Sequence, residues 1–296
     1  MLELSREFPI RTICKLLRLS RSAYYLYRKG ETYQPSLDRQ TLLKEVKKIF
    51  ENHKSRYGSR RIQSELKDNG IEIGKYKVRS LMKEQNLVAI QPKSFVPKTT
   101  QSHPWLKRSP NLLLEESNQP SAPNQVIVGD ITYLPSKEFG YDVWLYLAVW
   151  MDLFSRKIVG WRVDEHMQDS LVILPMHQLI RLRQPEKGFI VHSDGGGQYG
   201  SNGFRALLKL HEFRQSMTRK DNHYDNAFIE SLFSRFKAEL LNGGTFSGLA
   251  DAQAKVFEYI EGYYNTIRKH SSLGYLSPDQ FEERFWMNFW KQENQL

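Results

Sequence analysis

Apolar positions in this chain follow two rhythms, and the change between them falls near residue 125. Before it, hydrophobic residues recur three and four apart, which lines them up on one face of a helix. After it, short β-branched and aromatic runs alternate with helical stretches. Residues 9–28 carry Ile10, Ile13, Leu16, Leu17, Leu19, Tyr24 and Tyr25 at helical spacing, around a short break at Arg18, Leu19 and Ser20. Ser20 or Ser22 can cap the second helix through its hydroxyl, so residues 1–35 read as a helix-turn-helix ending in a loop that holds Pro35. Residues 37–52 put Leu42, Leu43, Val46, Ile49 and Phe50 on one face and Lys44, Lys47 and Lys48 on the other. A turn at Tyr57, Gly58 and Ser59 precedes helices over 60–70 and 75–86, with Gly58 or Ser59 starting the first and Gly70 ending it. Residues 36–90 are therefore a second helix-turn-helix-like region.

Pro92, Pro97, Pro104, Pro110, Pro120 and Pro123 interrupt residues 91–124, which read as a linker with one short helix at 112–117. Strands follow at 125–134, 142–151, 156–163, 188–193 and 213–217, and helices at 170–183, 201–212, 224–241 and 248–264. The second and fourth strands are almost continuously apolar, so both faces of their sheet are covered. The pattern predicts an α/β domain over 125–285, a mixed five-stranded sheet flanked by helices, with 286–296 as a tail and an all-α region in front.

Charge divides the chain in the same way. Residues 1–110 hold 24 Lys and Arg against 10 Asp and Glu, net +14, while the remainder holds 19 against 23, net −4. A basic helical portion joined to a mildly acidic one points to a nucleic-acid grip attached to something else. Cys14 is the only cysteine, so an intrachain disulfide and a Cys-rich zinc module are both excluded. No apolar run approaches the roughly 20 residues of a membrane span, and the first residues lack the layout of a secretion signal. The expected setting is a reducing cytosol, close to nucleic acid.

Three acids carry the candidate chemistry. Asp130 interrupts the apolar run QVIVGDITYL, and Asp194 closes GFIVHSD before a glycine-rich segment. Glu230 lies in a helical stretch and shares a stripe with Ser234 and Lys237. A carboxylate in mid-strand is costly unless it is paired or bound to metal. Cutting and joining phosphodiesters requires an activated hydroxyl and a stabilised leaving oxygen, which a pair of Mg²⁺ (or Mn²⁺) ions on a few carboxylates provides. Each acid also has a plainer reading: an edge-strand Asp, an Asp-Gly turn, a solvated helix face.

The segments WLYLAVWMDLFSRKIVGW (144–161), HSDGGGQY (192–199), DNAFIESLFSRFKAEL (225–240) and YNTIRKHSSLGYLSP (264–278) resemble the bacterial insertion-sequence transposases of the OrfB type. The resemblance covers nearly the whole chain and includes the 35 residues between Asp194 and Glu230. It implies a retroviral-integrase-like catalytic core with an RNase H-like fold, and a metal-dependent DNA transposase that cleaves element ends and transfers strands. It makes Asp130, Asp194 and Glu230 the metal-binding catalytic triad and puts Lys237 on the DNA backbone. It implies DNA ends and target DNA as partners, a homo-oligomer, and an upstream-frame helix-turn-helix protein as fusion or partner. Two positions depart from the family pattern: Ile127, Val128 and Gly129 precede the first Asp where an aromatic and a polar residue are usual, and Gly195 follows the second where a basic residue is usual. The alternative reading, a DNA-binding component of weak or no activity, rests on Gly195.

Other residues keep two readings each. His192 orients a carboxylate, contacts DNA, or packs. Tyr199 stacks on a base or packs. Asp152 belongs to a turn and Asp225 to a helix cap. Arg268 and Lys269, with His270, form a basic loop that binds phosphate or is merely solvated. In the N-terminal portion Arg60, Arg61, Lys75, Lys77 and Arg79 are the candidate DNA contacts.

Overall fold

The computed structural model describes residues 5, 7–30, 37–92, 108–138, 140–219 and 223–293. Residues 31–36 of the expected loop and 93–107 of the expected linker lie outside the described residues. The chain forms two compact units, Met1–Ala89 and Ile90–Leu296.

In the first unit, helices α1 (Ile10–Leu16) and α2 (Arg21–Arg28) pair, and Ser20 is the cap, accepting from the Ala23 N–H at 3.0 Å. Helices of seven and eight residues offer each other one narrow stripe. Ile13, Cys14 and Tyr24 are buried, whereas Leu16, Leu17, Leu19 and Tyr25, expected on the packed face, are exposed. Helices α3 (Leu37–Asn52), α4 (Ser59–Asp68) and α5 (Lys75–Glu84) pack together through Leu42, Val46, Ile62, Leu66, Val78 and Leu81. Gly58 is the α4 N-cap. Gly70, at φ +78°, ends α4 in the left-handed turn that a glycine allows, with Ile71 N–H donating to Leu66 O.

The second unit holds a five-stranded sheet in the order β3-β2-β1-β4-β5. Its strands are β1 (Val126–Glu138), β2 (Tyr141–Asp152), β3 (Ile158–Asp164), β4 (Ile190–Ser193) and β5 (Arg214–Met217). The first three pair antiparallel, and β1–β4 and β4–β5 pair parallel. This mixed order, with helices on both faces, is the RNase H-like architecture. Helices α6 (Ser170–Arg183) and α7 (Asn202–Leu210) cover one face and α8 (Ala227–Leu241) and α9 (Leu249–Tyr259) the other. Strand alternation sends Val126 and Val128 towards α8 and α9, and Ile127 towards α6 and α7.

Two expected boundaries change. The end of the expected linker is laid along β5, the edge strand: Met217 N–H donates to Pro110 O, and Leu112 N–H to Ser216 Oγ at 2.9 Å. An edge strand offers unpaired backbone groups, and this segment satisfies some of them. Residues 286–293 of the expected tail lie within helix α10 (Pro278–Glu293). That helix is anchored by buried Glu282, which accepts from both Arg183 Nη atoms at 2.9 Å and from Ser155 Oγ at 2.7 Å. Among the described residues no helix is long and apolar enough to cross a membrane.

Candidate active site

Asp130 sits in mid-β1, opposite Val149 of β2. It is in step with Val126 and Val128, which puts it on the sheet face that α8 covers. One residue earlier, Gly129 pairs with Ser193, the last residue of parallel β4. Asp194 follows directly, so the two carboxylates leave adjacent strands at the same level. Its Oδ1 accepts the Gly196 N–H at 2.9 Å, and Asp130 Oδ1 accepts the Ile131 N–H at 2.8 Å. Glu230 is exposed in the first turn of α8, the end of a helix that favours an acid.

Electrostatics brings these groups together. Burial pushes the Asp130 carboxyl well above the usual range. The Asp194 charge adds to this and Glu230 adds further, while the Ile131 N–H and Lys237 pull the other way. Asp194 is also raised by burial, opposed by the Gly196 N–H and Arg108. Lys237 is half-buried; loss of water lowers its pKa and the nearby Asp130 charge raises it. Asp130, Asp194, Glu230 and Lys237 therefore share one electrostatic neighbourhood. Among the described residues no three His, Cys, Asp or Glu side chains close into a ligand cluster. The donor chemistry still suits a hard divalent cation: oxygen ligands only, with Asp194 and Glu230 both raising the Asp130 carboxyl.

Behind the sheet from Asp130, on the face that α6 and α7 cover, the packing is aromatic. Trp150 pairs with Gly129 across β1 and β2, stacks on Phe204 with ring centroids 5.7 Å apart, and donates from Nε1 to Val172 O at 3.1 Å. Tyr199 meets both rings edge-on and is 1% exposed, so it is a packed aromatic and is closed to a base. Burial, then the Asp130 and Asp194 charges, raise its pKa.

Several expected contacts are corrected. His192 is 0% exposed, with Nδ1 2.8 Å from Ser216 Oγ. Burial pushes its pKa down to about 4 against the pull of Asp225, leaving a neutral packed ring out of DNA's reach. Arg268 is buried too, and its Nε and Nη2 donate to Glu239 at 2.8 and 2.6 Å. Lys269 is 7% exposed, so 268–269 is no solvated basic loop. The physical cause is the acid on α8: Glu239 recruits the guanidinium inward, a pairing that local sequence does not reveal. Asp225 accepts three bonds from Arg219 and does not cap α8, whose N-cap is Asn226. Asp152 does make a turn, accepting from the N–H groups of Asn124, Phe154 and Ser155.

Arg60, Arg61, Lys75, Lys77 and Arg79 lie in the other unit. All are exposed except Arg61, which is half-buried with its guanidinium 5.6 Å from the Tyr57 ring centroid. Two residues of the acid site escape sequence reasoning, Gly129 and Arg108. The only signal for either was a glycine where a side chain was expected.

Family models described as an integrase core domain match residues 120–223 and 211–278, and one described as an HTH-like domain matches 37–95. The chain is 41% identical over 247 residues to a transposase for insertion sequence element IS904 from Lactococcus lactis, covering 83% of this chain and 95% of that one. It is 38% identical over 280 residues to transposase InsF for insertion sequence IS3A from Escherichia coli, covering 94% and 95%. Among solved structures, the HTLV-2 integrase catalytic core domain in complex with magnesium aligns with a TM-score of 0.41 and 18% identity, over 55% of this chain and 99% of that one.

Proposed function

Since the chain belongs to the family of insertion-sequence transposases with an integrase core, we propose that it cuts the ends of a mobile DNA element and joins them to target DNA, using Asp130, Asp194 and Glu230. The observation that carries this reading is the charge repulsion at Asp130, where Asp194 and Glu230 both push the carboxyl up. Holding three acids against one another is unfavourable in the bare protein, and a cation relieves it.

In the cutting step a water oxygen attacks phosphorus at the element end, its proton passes to solvent, and the bond to the 3′ oxygen breaks, that oxygen taking up a proton to leave a 3′-hydroxyl. In the joining step that hydroxyl loses its proton and forms a bond to a target phosphorus, and the displaced target 3′ oxygen takes up a proton. One P–O bond forms and one breaks each time, so no covalent protein intermediate is needed. Asp130, Asp194 and Glu230 would hold Mg²⁺ or Mn²⁺, as two ions, which when bound supply hydroxyl activation and stabilisation of the leaving oxygen. Trp150, packed against Gly129 on the opposite sheet face, fixes β1 beside Asp130, and Lys237 meets the DNA backbone there. Arg60, Arg61, Lys75, Lys77 and Arg79 hold DNA through the helical unit. The chain acts as a homo-oligomer on two element ends, alone or joined to an upstream-frame helix-turn-helix protein.

The test is strand transfer on element-end DNA with Mg²⁺ or Mn²⁺. Wild type joins DNA, and Asp130→Asn, Asp194→Asn and Glu230→Gln do not. Equal joining by wild type and Asp194→Asn removes the assigned site.

A further inference from the structure

Gly195 has no need of glycine's conformational range, because its backbone lies outside the left-handed region. What it lacks is room. A Cβ there would stand 2.6 Å from Arg108 Cζ and Nη2 and 2.8 Å from Nε. The guanidinium thus fills the space that a side chain next to Asp194 would take. It reaches this place from the segment laid along β5: Ser109 Oγ donates to Gln215 Oε1 at 2.9 Å, and Leu112 N–H to Ser216 Oγ. One nitrogen of the fork, Nη1, donates to Thr218 O at 3.3 Å. Nε and Nη2 make no hydrogen bond to a described residue, and Arg108 is half-buried. Its charge is felt at Asp194, but no ion pair with a described residue consumes it.

A guanidinium held on one side, with two donors free beside an acid site that must receive a phosphodiester, is a fork for phosphate oxygens. We propose that Arg108 contacts the substrate: seated on Gly195, it binds a backbone phosphate of the DNA strand brought to Asp130 and Asp194. This rests on the strand-transfer reading above and adds to it a cation delivered from a distant part of the chain. Gly195 is then the seat of the missing charge.

The experiment compares wild type, Arg108→Gln and Arg108→Ala/Gly195→Lys in the full chain. Two quantities are read: the salt dependence of binding to element-end duplex without turnover, and Mg²⁺-dependent joining. Arg108→Gln keeps a donor for Thr218 O and removes the charge. It is expected to weaken binding and joining about tenfold, and to flatten the slope of log affinity against log salt by about one. Gly195→Lys in the Arg108→Ala background puts a cation back into the vacated space and is expected to restore both. A thermal melt at wild-type temperature shows that each variant is folded; if Arg108→Gln is not, Arg108→Lys, which keeps charge but loses the fork, is expected to keep the slope and lose joining. A wild-type slope together with wild-type joining in Arg108→Gln overturns the inference. Failure of wild type itself to join DNA overturns the strand-transfer reading instead, and the binding slope still decides Arg108.

Discussion

The Cα of Gly129 faces the six-membered ring of Trp150 across the β1–β2 pair. A Cβ at 129 would come 2.1 Å from Cζ3 and 2.3 Å from Cε3. The ring cannot retreat easily, since it is stacked on Phe204 and its Nε1 is bonded to Val172 O. Gly129→Ala must therefore move β1 at the residue before Asp130. Overpacking of this kind costs about 1–3 kcal/mol. The expected outcome is a lower melting temperature and a larger loss of joining than of DNA binding. Gly129→Ala/Trp150→Leu, which removes the obstructing ring, is expected to recover part of the joining. Unchanged joining in Gly129→Ala would show that the position of Asp130 tolerates the shift.

Much of the architecture was legible because periodicity is local. The apolar runs at 142–151 and 188–193 became β2 and β4, and the helical spacing at 170–183 became α6 with the same limits. Asp130 stood out as a candidate because a carboxylate in an apolar strand is conspicuous. Two of the misreadings come from pairing between residues far apart in the chain. Arg268 looks solvated until Glu239 is placed beside it, 29 residues away. Arg108 sits in a proline-rich stretch without periodicity, 110 residues from Thr218, to which it is bonded. The apolar stripe of α1 and α2 was read as core because spacing reports a face, not what covers it.

The Asp130 carboxyl is raised above its unfolded value, first by burial and then by Asp194 and Glu230. A carboxyl shifted upward binds its proton more tightly in the folded state. The stability it contributes is full below pH about 3.8 and is lost as pH rises towards the folded value. In EDTA at neutral pH, Asp130→Asn is therefore expected to be more stable than wild type. Its melting temperature rises by about 2–4 °C for each kcal/mol recovered, and the gap closes as pH falls towards 4. Added Mg²⁺ is expected to raise the melting temperature of wild type, by about 1.4 kcal/mol equivalent at ten times Kd, and not that of Asp130→Asn. A less stable Asp130→Asn in EDTA would show that the charge is already compensated in the bare protein.

Glu239, Arg268 and Tyr259 form a buried set, with Tyr259 Oη donating to Glu239 Oε2 at 2.8 Å beside the two guanidinium bonds. Removing one partner of a buried ion pair leaves a charge without compensation and costs about 3–5 kcal/mol. Arg268→Met is expected to lose that much in chemical denaturation, while Arg268→Met/Glu239→Gln recovers most of it. Since Arg268 is enclosed, the salt slope of DNA binding by folded protein is expected to stay at the wild-type value. A flattened slope in folded Arg268→Met would return this arginine to the DNA surface.

Lys75, Lys77 and Arg79 stand exposed on α5, whose inward face is Val78, Leu81 and Met82. Packing therefore does not depend on their charges, and substitution there should leave the helical unit folded. Each residue that touches a phosphate contributes about one unit to the slope of log affinity against log salt, whereas a residue reading a base edge alters sequence preference. Lys77→Ala is expected to flatten the slope by about one for element-end and unrelated duplex alike, which is the signature of a backbone contact. A fall confined to element-end duplex would make Lys77 a reader of sequence, and no change in either would remove α5 from the interface. Because none of these residues belongs to the acid site, joining measured at saturating DNA is expected to stay at the wild-type rate, which separates grip from chemistry.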